Sequence, residues 1–86
     1  MDSSDVETMI RYLKEKVLRK PDADIGVDTP LVSSGMMDSF ALVETLVELE
    51  RITKLRISAM KVVPADMDTV RKMFETAARV GKPRKQ

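Results

Sequence analysis

The chain has 86 residues, enough for one domain with one small core. It contains neither Cys nor His, which excludes a disulfide framework, thiolate zinc sites and Ser-His-Asp or Cys-His catalysis. Fifteen Lys and Arg against fourteen Asp and Glu leave a formal charge of +1, and aromatics make up 3%, so nucleic acid meets neither a strong field nor a stacking platform. The opening MDSSDVETMIRY is acidic and lacks the basic start and apolar run of a secretory signal. No apolar stretch approaches the ~18 residues needed to span a bilayer. The expectation is a soluble cytoplasmic domain that does not bind nucleic acid.

Ser4 followed three residues later by Glu7 reads as a capping box. Val6, Met9, Ile10, Leu13, Val17 and Leu18 then recur at helical spacing, Lys14, Lys16, Arg19 and Lys20 load the end, and Pro21 stops it. This predicts a first helix over 5–19. Residues 21–38 hold Pro, Gly, Asp and Ser without a sustained period. Ile25, Val27, Leu31, Val32, Met36 and Met37 nevertheless punctuate them, so the segment reads as a long ordered loop packed on the core. Asp38 is a good N-cap for a second helix. There Phe40, Val43 and Val47 share one stripe, with Glu44 and Glu48 beside it, while Leu42, Leu46 and Leu49 share a neighbouring one. So wide an apolar arc means that the helix is central or offers part of its apolar face to a partner.

Leu55, Arg56 and Ile57 form a short extended link, and SAMKVVPADM has room for one helical turn. Asp66 or Asp68 is expected to cap a last helix carrying Val70, Met73, Phe74, Ala77 and Val80, with Gly81 just past its end and Pro83 blocking continuation. The predicted fold is all-α: a small antiparallel bundle of three long helices plus a short fourth, with the long loop between helices one and two. Leu13, Val17, Leu46, Leu49, Val70 and Phe74 should meet inside. Residues 1–80 should form the domain and 81–86 a basic flexible tail.

The stretch from Asp28 to Phe40 delivers a serine to a helix N-terminus. Gly35 permits a turn with positive φ, Asp38 sets the helix start, and Ser39 falls in the first turn, where free N–H groups and the positive dipole end favour phosphate. Asp-Ser before an apolar run is also an ordinary helix start. The larger pattern goes further: Asp28-Thr29-Pro30-Leu31 followed by Gly35-Met36-Met37-Asp38-Ser39-Phe40 resembles the D-x-x-L and G-x-x-D-S elements of the acyl carrier protein family. It is most similar to the stand-alone acyl, aminoacyl, D-alanyl and peptidyl carriers, over about residues 28–78.

The resemblance implies a non-enzymatic carrier and an acyl-carrier-like fold. By it, Ser39 takes a covalent 4′-phosphopantetheine from a phosphopantetheinyl transferase, with Asp38 and Gly35 completing the attachment site. The arm's thiol holds an acyl or aminoacyl group as a thioester, so the protein itself needs no Cys. An activating ligase would load the arm and a downstream transferase unload it, with the carrier a monomer. Partner contact is expected at Met37, Phe40, Val43, Glu44, Val47 and Glu48, as an apolar patch with two glutamates guiding a basic partner. Arg51, Lys54 and Arg56 at the end of helix two differ from the strongly acidic fatty-acid carriers and point to a dedicated partner set. The alternative is a cofactor-free helical interaction module using the same face.

Overall fold

The computed structural model describes residues 3–83. Helix α1 spans Ser3–Tyr12 and continues as a π-helical turn over Leu13–Val17. Ser4 lies inside α1 rather than at its cap, and its carbonyl accepts the Thr8 hydroxyl at 2.8 Å, so the expected capping box does not start the helix. The helical stretch closes with the Leu18 N–H on the Leu13 carbonyl and the Lys20 N–H on the Lys14 carbonyl, both at 2.8 Å. Arg19 turns the chain with φ 54°, two residues ahead of Pro21. Left-handed backbone cannot continue a right-handed helix, so the helix ends short of the expected Arg19.

Helix α2 spans Ser39–Thr53 and starts where expected. Asp38 is extended (φ −90°, ψ −177°) and its carboxylate accepts the Ala41 N–H at 2.8 Å. The helix ends at Lys54 in the left-handed conformation (φ 59°, ψ 30°). Strand β1, Leu55–Arg56, follows, then two short 3₁₀ turns at Ala59–Lys61 and Pro64–Met67 in place of the expected fourth helix. Helix α3 spans Val70–Val80. Its cap is Thr69, whose hydroxyl accepts the Lys72 N–H at 3.1 Å, and neither Asp66 nor Asp68 serves there. Asp66 instead accepts the Val63 N–H at 3.1 Å in the preceding turn.

Strand β2, Lys82–Pro83, pairs antiparallel with β1 in the register Leu55 with Pro83 and Arg56 with Lys82. This strand lies in the segment 81–86 expected as a basic tail, and residues 84–86 lie outside the described residues. Gly81 is extended (φ −72°, ψ 146°), not left-handed. Close approach is what requires glycine there: a Cβ would run into the Ala77 carbonyl oxygen and lie 2.8 Å from the Leu55 side chain.

The three helices pack mutually in a predominantly helical domain. The core joins Met9 and Leu13 of α1, Leu46 and Leu49 of α2, and Val70, Met73, Phe74 and Ala77 of α3. The long loop contributes Ile25, Leu31 and Met37, so it packs on the bundle as its apolar residues suggest. Of the residues expected to meet inside, only Val17 is partly rather than fully buried. The Leu46 and Leu49 side of α2 faces inward, and Val43 and Val47 face solvent. Leu49→Ala should therefore lower the unfolding free energy by about 2–5 kcal/mol. Val47→Ala should change it by no more than about 0.5 kcal/mol. Chemical denaturation of the two variants checks the rotation of α2, and comparable losses would refute it.

Candidate functional site

Ser39 is the first residue of α2 and its side chain is exposed. Of the first-turn amides, Ala41 N–H bonds the Asp38 carboxylate and Leu42 N–H bonds the Asp38 carbonyl at 2.9 Å. A helix offers its first amides no internal acceptor, which makes those of Ser39 and Phe40 candidate donors to a ligand. A phosphodiester on the Ser39 oxygen would meet those amides and the positive end of the helix dipole. Asp38 therefore acts through the backbone: it fixes where α2 begins and so where Ser39 stands. Gly35 turns the chain ahead of it with φ 83°, and nothing lies within 4 Å of where its Cβ would be. Here the conformation, not the space, calls for glycine.

The loop reaching Ser39 is tied to the start of α3 twice. The Asp68 carboxylate accepts the backbone N–H groups of Leu31, Val32 and Ser33 at 3.2, 2.8 and 2.8 Å, and the Ser33 hydroxyl at 3.0 Å. Arg71 pairs with both oxygens of Asp28 at 2.7 and 3.1 Å, and its N–H bonds the Val27 carbonyl at 3.0 Å. Donors from Ser33 foremost hold the Asp68 carboxyl below the usual carboxylate range. The hydrogen-bonded Arg71 guanidinium does the same for Asp28.

Apolar residues are exposed along α2 from Ser39 onward. Phe40 is 72% exposed, Val43 57% and Val47 60%, in one stripe along α2, with Glu44 exposed beside it. Met36 lies half-exposed on the loop, and Met60 and Val63 stand out from the segment between β1 and α3. A groove of ≈ 290 Å³ opens at Ser39, walled by Leu42, Val43 and Leu46 on one side and Ala59, Val62 and Pro64 on the other.

Two expected contact residues are placed differently. Met37 is 4% exposed and accepts the Thr45 hydroxyl on its sulfur at 3.6 Å, so it belongs to the core while its neighbour Met36 takes the surface. Glu48 has a side chain only 15% exposed, and its carboxylate is bonded by the Arg51 guanidinium. With Glu44 it flanks the Tyr12 hydroxyl, whose pKa burial and then the two carboxylates push up. Glu48 is thus not a free acid on the α2 face. Met36, Met60, Val63 and Asp68 were not singled out from the sequence as site residues. For Asp68 the only signal was a carboxylate near the start of the last helix, which reads equally well as a cap.

The profile of the family described as "Phosphopantetheine attachment site" matches residues 2–76, most of the chain. The chain belongs to this family: it is a non-catalytic carrier with a covalently bound 4′-phosphopantetheine, and its work involves enzymes such as transferases and ligases. Neither a curated protein nor a solved structure matches it. The residues fit the group: an exposed serine stands first in α2, where the helix dipole favours a phosphodiester. The arm supplies the thiol on which cargo is held. Among the described residues no helix is long and apolar enough to cross a membrane, and no cluster of Asp and Glu is arranged to hold a metal.

The two loop ties make the site sensitive to acid. Both carboxyls titrate lower in the folded chain than the ~3.9 expected of an unfolded Asp. Each therefore contributes stability that is fully present above about pH 4 and is lost as pH falls through the lower folded value. The melting temperature should drop steeply below about pH 4, and Asp68→Asn should flatten that drop. An equal acid dependence in the variant would show that Asp68 carries none of it.

Proposed function

We propose that Ser39 bears the phosphopantetheine arm and that the chain holds an acyl or aminoacyl group on it as a thioester. A phosphopantetheinyl transferase would install the arm, an activating ligase load it and a downstream transferase unload it. The observation that carries this reading is the placing of Ser39: exposed and first in α2, at the positive end of the helix dipole. Between the two cargo classes the groove favours acyl, because its walls are apolar and offer no carboxylate to an amino acid's ammonium group. Partner enzymes must approach close to Ser39, since the thioester has to enter their active sites. What they meet first is Phe40, Val43 and Val47, with Glu44 at the edge.

Incubation with coenzyme A and a phosphopantetheinyl transferase should add one phosphopantetheine per chain, and Ser39→Ala should take up none. Peptide mass spectrometry locates the addition, and finding it on Ser33 or Ser34 would overturn the assignment. The intact mass of protein from its native host reads the cargo directly. Val47→Asp should keep its helical circular dichroism and melting behaviour, because residue 47 is exposed. Its loading by the cognate ligase should nevertheless slow by about tenfold, the effect of losing one central apolar contact. Normal loading of the folded variant would remove α2 from recognition.

A further inference from the structure

We infer that Asp68 is a positioning residue for the modification of Ser39, acting from the far side of the loop through Leu31 and Met37. The inference rests on the assignment of Ser39 as the attachment residue. Three successive backbone N–H groups, those of residues 31–33, converge on one oxygen of a carboxylate some 35 residues further along the chain. The other oxygen takes the Ser33 hydroxyl, and the Asp68 carbonyl also accepts the Leu31 N–H at 2.7 Å. These amides belong to no helix or ladder. With the carboxylate gone, the Val32 and Ser33 amides have only water to bond, while Leu31 keeps the Asp68 carbonyl, so the stretch between Leu31 and Gly35 loses its main restraint.

The constraint reaches Ser39 by a short route. The Leu31 carbonyl accepts the Met37 N–H at 3.0 Å and the Ser34 hydroxyl at 3.3 Å. Leu31 and Met37 are both buried, and Met37 is held from α2 by the Thr45 hydroxyl. The next residues are Asp38, which caps α2, and Ser39. Asp68 thus joins the start of α3 to the two residues that set where the attachment hydroxyl stands. A transferase has to engage the loop and α2 together to bring coenzyme A to that hydroxyl. Rate falls steeply when reacting groups are misplaced by as little as about 1 Å. Helix α2 itself does not need the tie, because Asp38 caps it and Leu46 and Leu49 anchor it.

The test compares phosphopantetheine transfer to the full chain, its Asp68→Ala and Asp68→Asn variants, and Ala77→Gly. The last perturbs α3 at the end remote from the loop and serves as a control for lost stability. All are assayed well below their melting temperatures, with hydrogen exchange followed at residues 31–40. Asp68→Ala should load at least about tenfold more slowly than the full chain, with faster exchange at 31–37 and α2 intact. Asp68→Asn keeps one acceptor oxygen and should recover most of the rate, to within about threefold of the full chain. Ala77→Gly should load at the full rate despite its lower melting temperature. If Asp68→Ala does not fold, the Asp68→Asn rate and exchange pattern decide alone. Loading of Asp68→Ala at the rate of Ala77→Gly, or of Asp68→Asn at the full rate with unchanged exchange where the Ala variant is unfolded, would overturn the role of Asp68. If the full chain takes up no arm at Ser39, the assignment of the serine fails, and the inference with it.

Discussion

A single carboxylate organises the segment on which this carrier's work depends. The loop between α1 and α2 is long, and a segment of that length without regular structure has no ladder to satisfy its backbone. Asp68 meets three of its amides and one hydroxyl at once, and the Arg71 pair with Asp28 secures the stretch before them. The apolar residues Ile25, Leu31 and Met37 then have a defined place to enter the core. The order of cause matters: burial of these side chains supplies the drive, but it is non-directional. Hydrogen bonds to a fixed acceptor choose one path for the loop among the many that would bury the same area.

That path explains why α2 can be capped cleanly and still present an exposed serine at its start. The cap uses the side chain of Asp38, and the Ser39 that follows it is exposed. A serine that served as the cap would be occupied by its own helix. Moving the cap one residue upstream separates the structural task from the chemical one. Gly35 turns the loop ahead of this cap with a left-handed φ that a side chain would strain.

The helices, the sign of the loop and the place of Ser39 were legible because each rests on local signals: period, cap chemistry and proline. The inward face of α2 was legible too, through Leu46 and Leu49. What was not legible depends on distant groups. Asp66, Asp68 and Thr69 can each cap a helix, and only the arrival of the loop from residues 31–33 decides that Asp68 is used elsewhere and Thr69 does the capping. Met36 and Met37 are adjacent in a segment with no period, so nothing local tells which one turns inward. The pairing of Lys82–Pro83 with β1 likewise needs a partner strand that comes from nearly thirty residues earlier. Glu48 is the exception: Arg51 stands three residues on along the helix, a spacing at which opposite charges meet.

The neutralised Glu48 bears on how partners are recognised. With Glu48 bonded by Arg51 and Glu50 accepting the Ile57 N–H, the apolar stripe of α2 is edged by Glu44, and the chain's net charge of +1 adds no long-range acidic field. Steering by charge then contributes little, and on the proposed reading contact falls to the exposed Phe40, Val43 and Val47. Exposed apolar residues gathered in one place are a liability for a small soluble domain, and where they ring a functional group they mark a contact surface. A patch of a few side chains is also small beside a stable interface, which favours fast release. A carrier that must leave one enzyme to reach the next needs a surface specific enough to be found and too small to be kept.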